Sequence, residues 1–226
     1  MSTIFDAPPA DDGGGRAEVP EGFLDTTPRA RVAQVALGMN VAWFALYLVV
    51  LAAQDLVLPS VDDLAVWDAR DRFWDVAEPI EIVLRLCTAV VFLVWLHRAS
   101  KNAHVLSETK LQFTPGAAVG VWFAPCVNAW VPYQVVREID RASAPEPSAV
   151  DTGLVAGWWA CWIGSLIITR FVLAQGESVE TTLVAGSFLA HLTAAVLAIL
   201  VVERIRKNQL ARATRDDIHG IAATFA

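Results

Sequence analysis

The 226-residue sequence contains 55% hydrophobic and 18% charged residues, with a formal net charge of −7 and a mean hydropathy of +0.47. Water-soluble domains usually contain about 45–50% apolar and about 25% charged residues. The composition therefore argues against a soluble protein, and nothing in the charge balance indicates a nucleic-acid partner. Nine Trp against two Tyr are typical of a membrane protein whose indole rings lie at the membrane interface.

The chain begins with a segment rich in Pro, Gly and Asp, which has neither the basic start nor the short apolar core of a signal peptide. We expect a disordered N-terminal tail over residues 1–28. A helical transmembrane domain over residues 29–202 and a basic cytoplasmic C-terminal helix or tail over residues 203–226 complete the predicted organisation.

Long apolar stretches follow the tail, separated by polar connections. A helix that spans a bilayer needs about 20 mainly apolar residues. Four stretches meet that requirement as uninterrupted spans, with the second beginning at Pro79, a residue that suits the first turn of a helix. The predicted spans cover residues 32–53, 79–96, 153–174 and 183–202.

A further apolar stretch, residues 115–136, is punctuated by Pro115, Pro125 and Pro132. A proline inside a helix removes a hydrogen bond and costs about 3 kcal/mol. Non-helical backbone is tolerated at membrane depth only where protein or a water-filled cavity covers it. We therefore predict an all-α integral membrane protein with four transmembrane helices and one proline-broken, re-entrant half-membrane segment.

The distribution of basic residues supports this topology. With both termini in the cytoplasm and a re-entrant third stretch, only Arg70 and Arg72 lie outside. If that stretch crossed the membrane completely, six further basic residues would move outside, against the positive-inside rule. Those residues are Arg16, Arg29, Arg31, Arg98, Lys101 and Lys110.

Residues 95–138 carry a recognisable pattern of Trp, Pro and Asn. Its parts are Trp95-Leu-His-Arg98-Ala99, Asn102, Pro115-Gly116, Gly120-Val-Trp122-Phe123-Ala-Pro125, Asn128-Ala-Trp130-Val-Pro132-Tyr133-Gln134 and Arg137-Glu138. The pattern resembles DUF4328, a bacterial membrane family known as a domain of unknown function. The resemblance implies a multi-pass protein of the bacterial cytoplasmic membrane and implies no activity. Asp140 departs from the pattern of this family, in which we expect an aromatic residue at that position.

Charged residues inside predicted spans are candidates for function, since charge is costly in hydrocarbon. Glu81 and Arg85 share a helix face, and Arg170 is predicted at the same membrane side, so the three are expected to form one cluster. The alternative is an ion pair with a separate interfacial anchor at Arg170. His191 is a candidate proton relay, or else a histidine bonded to a neighbouring helix.

The re-entrant segment is the second candidate site. Unwound backbone exposes polar groups, and broken helices of this kind form substrate and ion sites in transporters. We expect Arg98, Asn102 and Tyr133 at its cytoplasmic mouth, with Asn128 between Pro125 and Pro132. The alternative is that these residues anchor the interface and cap helix ends, while the prolines fix a rigid shape.

Small residues recur every four positions in three segments, which allows close helix packing. This pattern is compatible with helix packing within the chain and with a homodimer interface. They are Gly116/Gly120/Ala124, Gly153/Gly157/Cys161/Ser165 and Gly186/Ala190/Ala194/Ala198.

We find no HExxH, GxSxG, P-loop or dinucleotide-binding motif and therefore predict no catalytic residues. The spacing of the cysteines and histidines predicts neither a metal site nor a cofactor, and we interpret Cys87, Cys126 and Cys161 as small buried residues. These observations favour a non-enzymatic interaction or accessory module, with the lipid bilayer, a second copy or another membrane protein as partner. A small transporter or channel-like protein that uses the re-entrant segment is the alternative.

Overall fold

The computed structural model describes residues 20–57, 64–146, 151, 153–175 and 180–224. Every regular element in these ranges is helical, and no strand occurs in them. Residues 1–19 of the predicted tail lie outside the described part of the chain. The helices are α1 (Thr27–Val57), α2 (Leu64–Leu106), α3 (Pro115–Gly120), α4 (Val131–Ser143), α5 (Gly153–Gln175) and α6 (Thr181–Thr224), with a 3₁₀ turn (Val127–Ala129) before α4.

Four of these helices are long and apolar enough to cross a membrane, which confirms the predicted number of spans. Only 22–33% of the residues in their most apolar stretches are buried inside the protein. The remaining apolar side chains need hydrocarbon around them. The chain is therefore a multi-pass, all-α membrane protein. The apolar helices are Thr27–Gln54, Leu64–Leu106, Gly153–Ala174 and Thr181–Thr214.

The second span begins earlier than predicted. Pro79 lies inside α2 rather than at its start, and the helix extends back to Leu64 through the predicted polar connection. At about 1.5 Å per residue, its 43 residues are about twice as long as a hydrocarbon core is thick. A helix of that length projects from the membrane. Helix α6 likewise continues without a break from the last predicted span into the basic segment.

Helix α6 occupies the centre of the packing, between α1 and α5. Helix α2 packs against α1, and α4 lies against α2, α5 and α6. In contrast, α2 and α5 touch each other only marginally. The proline-broken segment therefore occupies the place between α2 and α5 where a complete span would otherwise pack.

The third apolar stretch is broken as predicted. Thr114 caps α3, its Oγ1 accepting a hydrogen bond from the Ala117 N–H at 3.2 Å, and Pro115 occupies the first turn. Helix α3 ends at Gly120, and helical structure resumes at the 3₁₀ turn before α4. Residues 115–143 are called the half-membrane segment below.

Both ends of the half-membrane segment lie at the same end of the bundle, called the polar end below. At its start, His97 Nδ1 on α2 donates to the Pro115 carbonyl oxygen at 3.0 Å. At its finish, Arg212 Nη1 on α6 donates to the Ala142 carbonyl oxygen at 2.9 Å. A further hydrogen bond joins α2 to α6 at this level. The segment therefore enters the bundle and returns, as a re-entrant element does.

The tip of the half-membrane segment contains a strained turn. Cys126 has φ +64° and ψ −41°, and the Val127 N–H donates to the Pro125 carbonyl oxygen at 2.7 Å. This is a three-residue γ-turn with a positive φ, a rare conformation for a residue that carries a side chain. Such backbone strain costs about 1–3 kcal/mol.

The interpretation of the cysteines as buried residues is wrong for two of the three. Cys87 and Cys126 are exposed on the outside of the bundle, and Cys161 is half-buried. A thiol is weakly polar, so the hydrocarbon around a span accommodates it as readily as a protein core does.

Candidate functional site

Asn102, predicted at the mouth of the re-entrant segment, is a fully buried structural residue. Its Nδ2 donates to the Leu24 carbonyl oxygen at 2.8 Å, and its Oδ1 accepts from the Leu24 N–H at 3.3 Å. Nδ2 also lies 3.4 Å from Gln209 Oε1 on α6. Asn102 thereby ties the chain before α1 to α2 and α6, and its polar atoms are occupied.

Arg98 and Asn128 retain buried polar atoms without partners in the described protein. In Arg98 these are Nε and Nη2, and in Asn128 the side-chain oxygen. The two residues are not joined to each other by any described contact. Arg98 lies on α2 and Asn128 on the 3₁₀ turn.

The other predicted residues of the re-entrant site are also dispersed. Tyr133 contacts Trp130, with ring centroids 5.6 Å apart, and the Arg137 guanidinium lies 5.5 Å from the Tyr133 ring centre. Pro132 is buried in the first turn of α4, whereas Pro125 is exposed at the tip. The structure therefore does not bring this predicted set together in one pocket.

Two of the three residues of the predicted charge cluster are in contact. Arg85 Nη2 lies 2.5 Å from Glu81 Oε1, so the pair on one face of α2 is formed. Arg170 is exposed on α5, and no described contact joins it to that pair. Instead, the Arg85 guanidinium lies 5.3 Å from the centre of the Phe44 ring, on the inner side of α2.

Arg85 and His191 line the same cavity, called the mid-membrane cavity below, which has a volume of about 360 Å³. This volume is at the lower end of the range found for small-molecule sites, about 300–1,000 Å³. Its walls come from α1, α2, α5 and α6. The lining residues are Leu37, Asn40, Phe44, Arg85, Leu86, Thr88, Ala89, Phe92, Trp122, Trp158, Trp162, Leu166, His191, Ala194, Ala195 and Ala198.

The mid-membrane cavity exists because the third stretch crosses only part of the bundle. Its lining residues come from the middle of each apolar helix. Trp122, in the half-membrane segment, lines one end of it. Beyond Trp122, α2 and α5 scarcely touch in the described protein, and the cavity lies between them.

Aromatic rings close the mid-membrane cavity toward the polar end. The Trp122 ring centroid is 5.7 Å from that of Phe92 on α2, and 6.4 and 5.9 Å from those of Trp158 and Trp162 on α5. The Trp122 and Trp162 rings meet at 67°. In such edge-to-face pairs an indole N–H can point at a neighbouring ring face. These aromatic side chains form a packed floor.

Two of the polar side chains in the cavity wall satisfy each other. Asn40 Nδ2 donates to Thr88 Oγ1 at 2.7 Å and to the Ala36 carbonyl oxygen at 2.9 Å. The Thr88 hydroxyl in turn donates to the Leu84 carbonyl oxygen at 2.8 Å. These hydrogen bonds join α1 to α2, and the two side chains need no ligand to complete them.

Arg85 and His191 differ from that pair. Arg85 Nε and His191 Nε2 are buried and have no partner in the described protein. His191 is only 8% exposed, and its Nδ1 bonds the Ser187 carbonyl of its own helix at 2.8 Å, not a neighbouring helix as one alternative expected. The cavity therefore presents these two unsatisfied polar atoms beside Phe44, while the Trp122 Nε1–H, which also lacks a partner, lies in the aromatic floor.

The polar end of the bundle holds a buried ion pair. Arg204 on α6 donates from Nε to Asp140 Oδ1 at 3.0 Å and from Nη2 to Oδ2 at 2.5 Å. Burial raises the pKa of the Asp140 carboxyl, and the Arg204 guanidinium opposes that rise. Gln209 adds bonds to the Ala99 carbonyl at 2.8 Å and to Ser143 Oγ at 3.0 Å. These contacts hold α4 in place against α2 and α6.

A larger open depression of about 660 Å³ lies at the polar end, beside α4 and the α2–α3 connection. Two of the charged side chains in its wall form structural hydrogen bonds. Glu138 accepts hydrogen bonds from the Gln112 and Phe113 N–H groups, and Arg212 donates to the Ala142 and Ala144 carbonyls. The smaller mid-membrane cavity is the better candidate for a binding site, because it is lined by buried polar atoms that have no partner in the described protein.

Sequence reasoning missed most of the cavity. It placed the tryptophans at the interface, whereas Trp122, Trp158 and Trp162 pack inside the bundle. The available signal was the spacing of Trp158 and Trp162, four residues apart within one apolar span, which puts both rings on one face. Nothing local indicated that Trp122 would meet them.

A model of one protein family, described as Domain of unknown function (DUF4328), matches residues 59–207, well over half of the chain. No match was found among curated proteins or among solved structures. The matched region includes α2, the half-membrane segment, α5 and most of the apolar part of α6, and thus most of the cavity wall. The chain belongs to the DUF4328 family, which confirms the resemblance in its Trp, Pro and Asn pattern.

Proposed function

We propose that the protein is a non-enzymatic binding module that holds a lipid-soluble molecule in the mid-membrane cavity. The observation that carries this proposal is the cavity itself, in which apolar walls surround Arg85 and the buried imidazole of His191. Ionisable side chains inside membrane proteins are costly and commonly mark ligand or ion sites. Small-molecule sites likewise combine mainly apolar walls with a few placed polar groups.

The position of the cavity supports a ligand that arrives from the bilayer. Leu86 on α2 and Leu166 on α5 line it and are 63% and 37% exposed on the outer face of the bundle. At the middle of a span, such exposed apolar side chains face hydrocarbon. The gap between α2 and α5 therefore opens toward lipid, and a water-soluble solute would have to cross hydrocarbon to enter it.

Binding is better supported than transport. A transporter needs a route past the site to both sides of the membrane, and the rings of Phe92, Trp122 and Trp158 close the route toward the polar end. The same rings offer flat apolar surface to a bound chain. The geometry thus favours retention of a ligand over its passage.

We further propose an accessory role in a bacterial cytoplasmic membrane, with both termini in the cytoplasm. The bias of Lys and Arg toward one side supports that orientation. A second copy or another membrane protein is a candidate partner, because a Cβ at Gly116, Gly120 or Gly186 would meet no heavy atom within 4 Å apart from its chain neighbours and its own helix backbone in the described structure. Small residues with open space beside them suit close helix contact.

The proposal is tested by filling the cavity. In detergent micelles, a long-chain carboxylic acid with bromine near the chain end should quench tryptophan fluorescence saturably, because three tryptophans line the cavity. Ala195→Phe places a ring in the cavity and should abolish the saturable part. Val196→Phe, at an exposed neighbouring position, is the matched control and should retain it. Equal quenching in Ala195→Phe and the wild type would refute the proposal.

A further inference from the structure

We infer that the head group of the bound molecule carries a hydroxyl proton, as in a long-chain carboxylic acid or a long-chain alcohol. The inference rests on the proposed function, since it names the chemical class of ligand for the same cavity. It comes from the hydrogen-bonding capacity of two side chains, Arg85 on α2 and His191 on α6.

The hydrogen bond of His191 within its own helix determines which ring nitrogen faces the cavity as an acceptor. Nδ1 lies 2.8 Å from the Ser187 carbonyl oxygen, and a carbonyl oxygen can only accept. Nδ1 therefore carries the proton, and in the neutral ring Nε2 is left as an acceptor. Nε2 is buried and has no donor within reach in the described protein. The cavity thus requires a ligand that donates a hydrogen bond.

Arg85 supplies the complementary group. Its Nη2 is engaged by Glu81 at 2.5 Å, whereas its Nε, which is always a donor, is buried without an acceptor. Because the Glu81 carboxylate offsets the guanidinium charge, the site does not demand a charged ligand. It requires an acceptor for the N–H of Arg85.

Both side chains line the cavity and contact the same Phe44 ring, away from the aromatic floor. The Arg85 guanidinium carbon and the His191 ring centre lie 5.3 and 5.2 Å from the centre of the same Phe44 ring. The other polar pair in the wall, Asn40 and Thr88, is already satisfied internally. The head group of a ligand is therefore placed beside Phe44, with its chain toward the aromatic floor.

Hydroxyl-bearing head groups meet both requirements. In a carboxylic acid or an alcohol, an oxygen accepts from Arg85 Nε while the O–H donates to His191 Nε2. An ester or a ketone accepts only, so it would leave the histidine nitrogen unsatisfied inside an apolar cavity. A buried acceptor left without a donor costs more free energy than a typical hydrogen bond contributes when it forms.

The test compares probes that share a 16-carbon chain: hexadecanoic acid, hexadecanol and methyl hexadecanoate. Each displaces the brominated acid from the purified full-length protein in detergent, at a pH low enough that the acids keep their protons. We expect the acid and the alcohol to bind about tenfold more tightly than the ester, which corresponds to one satisfied buried group. In His191→Phe, which keeps a ring but removes the acceptor, the affinities for acid and alcohol should fall to that for the ester. Thr193→Val, on the same helix, is the control and should keep the preference.

The outcomes separate the two proposals. If the wild type binds all three probes equally, or if His191→Phe keeps the tenfold preference, the head-group inference is wrong and a water molecule serves the two polar atoms. The proposed function survives that result, because a chain is still bound. If no probe displaces the brominated acid, and Ala195→Phe has no effect on its quenching, the proposed function itself fails.

Discussion

Asp140 and Arg204 form a two-point ion pair that connects the half-membrane segment to α6, with N···O distances of 3.0 and 2.5 Å. The Asp140 side chain is completely buried, while 24% of the Arg204 side chain is accessible. Paired hydrogen bonds from one guanidinium to one carboxylate are the stronger form of such a contact. Position 140 is where we expected an aromatic residue in this family, and here the position connects two elements instead.

Removal of one partner of this pair should destabilise the protein. Asp140→Ala leaves the partly buried Arg204 guanidinium without its carboxylate, although Nη1 still donates to the Asp151 carbonyl oxygen at 3.1 Å, and we expect it to lower the free energy of unfolding by about 2 kcal/mol. The double variant Asp140→Leu with Arg204→Met contains no unpaired charge and should cost less than the single variant. Unfolding by sodium dodecyl sulfate in mixed micelles, followed by tryptophan fluorescence, measures these differences.

The control for this experiment is Lys207→Met, which removes an exposed contact with Glu203 at 3.5 Å. Exposed ion pairs contribute about 1 kcal/mol or less. If Asp140→Ala is as mild as this control, the pair does not stabilise the half-membrane segment.

The re-entrant path predicts the accessibility of positions on either side of the half-membrane segment. We would introduce single cysteines at Glu108 and Glu146, which flank it, and at Leu64, the first residue of α2. Because the segment enters and returns at the polar end, the first two should react with an impermeant maleimide from one side of the membrane and the third from the other. The starting variant has alanine in place of its native cysteines, Cys87, Cys126 and Cys161.

Labelling of positions 108 and 146 from opposite sides would show that the segment crosses completely, against the structure. Reaction of both from the cytoplasmic side of inverted vesicles would support the proposed orientation. The same experiment therefore measures the topology and its direction.

The γ-turn at the tip of the half-membrane segment predicts a stabilising substitution. Cys126→Gly removes the Cβ that makes a positive φ unfavourable and should raise the free energy of unfolding by about 1 kcal/mol. Cys126→Ala keeps the Cβ and should give no such gain, which makes it the matched control. Detergent unfolding curves compare the three proteins, and a gain in the alanine variant equal to that in glycine would point to loss of the thiol rather than relief of backbone strain.

Several elements of the structure follow from residues that lie a few positions apart in the sequence. The Glu81–Arg85 pair needs only a spacing of four residues on one helix. The break between α3 and α4 follows from prolines that cannot continue a helix. The start of α2 at Leu64 could not be placed in this way, because the charges in residues 68–78 are as compatible with a projecting helix as with a loop.

The candidate site was predicted less well than the fold. Arg85 and Arg170 were assigned to the same cluster because both were expected at one depth. Depth is encoded by position along each span, whereas the direction in which a side chain points is not. Arg170 points outward, and Arg85 points toward Phe44 and His191.

Local composition alone decides how many helices cross the membrane and which stretch is broken, because hydrocarbon requires about 20 apolar residues and an internally bonded backbone. The inward faces are decided only when the helices pack. Each span is apolar on all sides, because lipid is as apolar as a protein core. Periodicity therefore does not distinguish the face that packs inward from the face that contacts lipid. Contacts such as Asp140 with Arg204, and the cavity between α2 and α5, depend on helices distant in sequence and arise only in the tertiary structure.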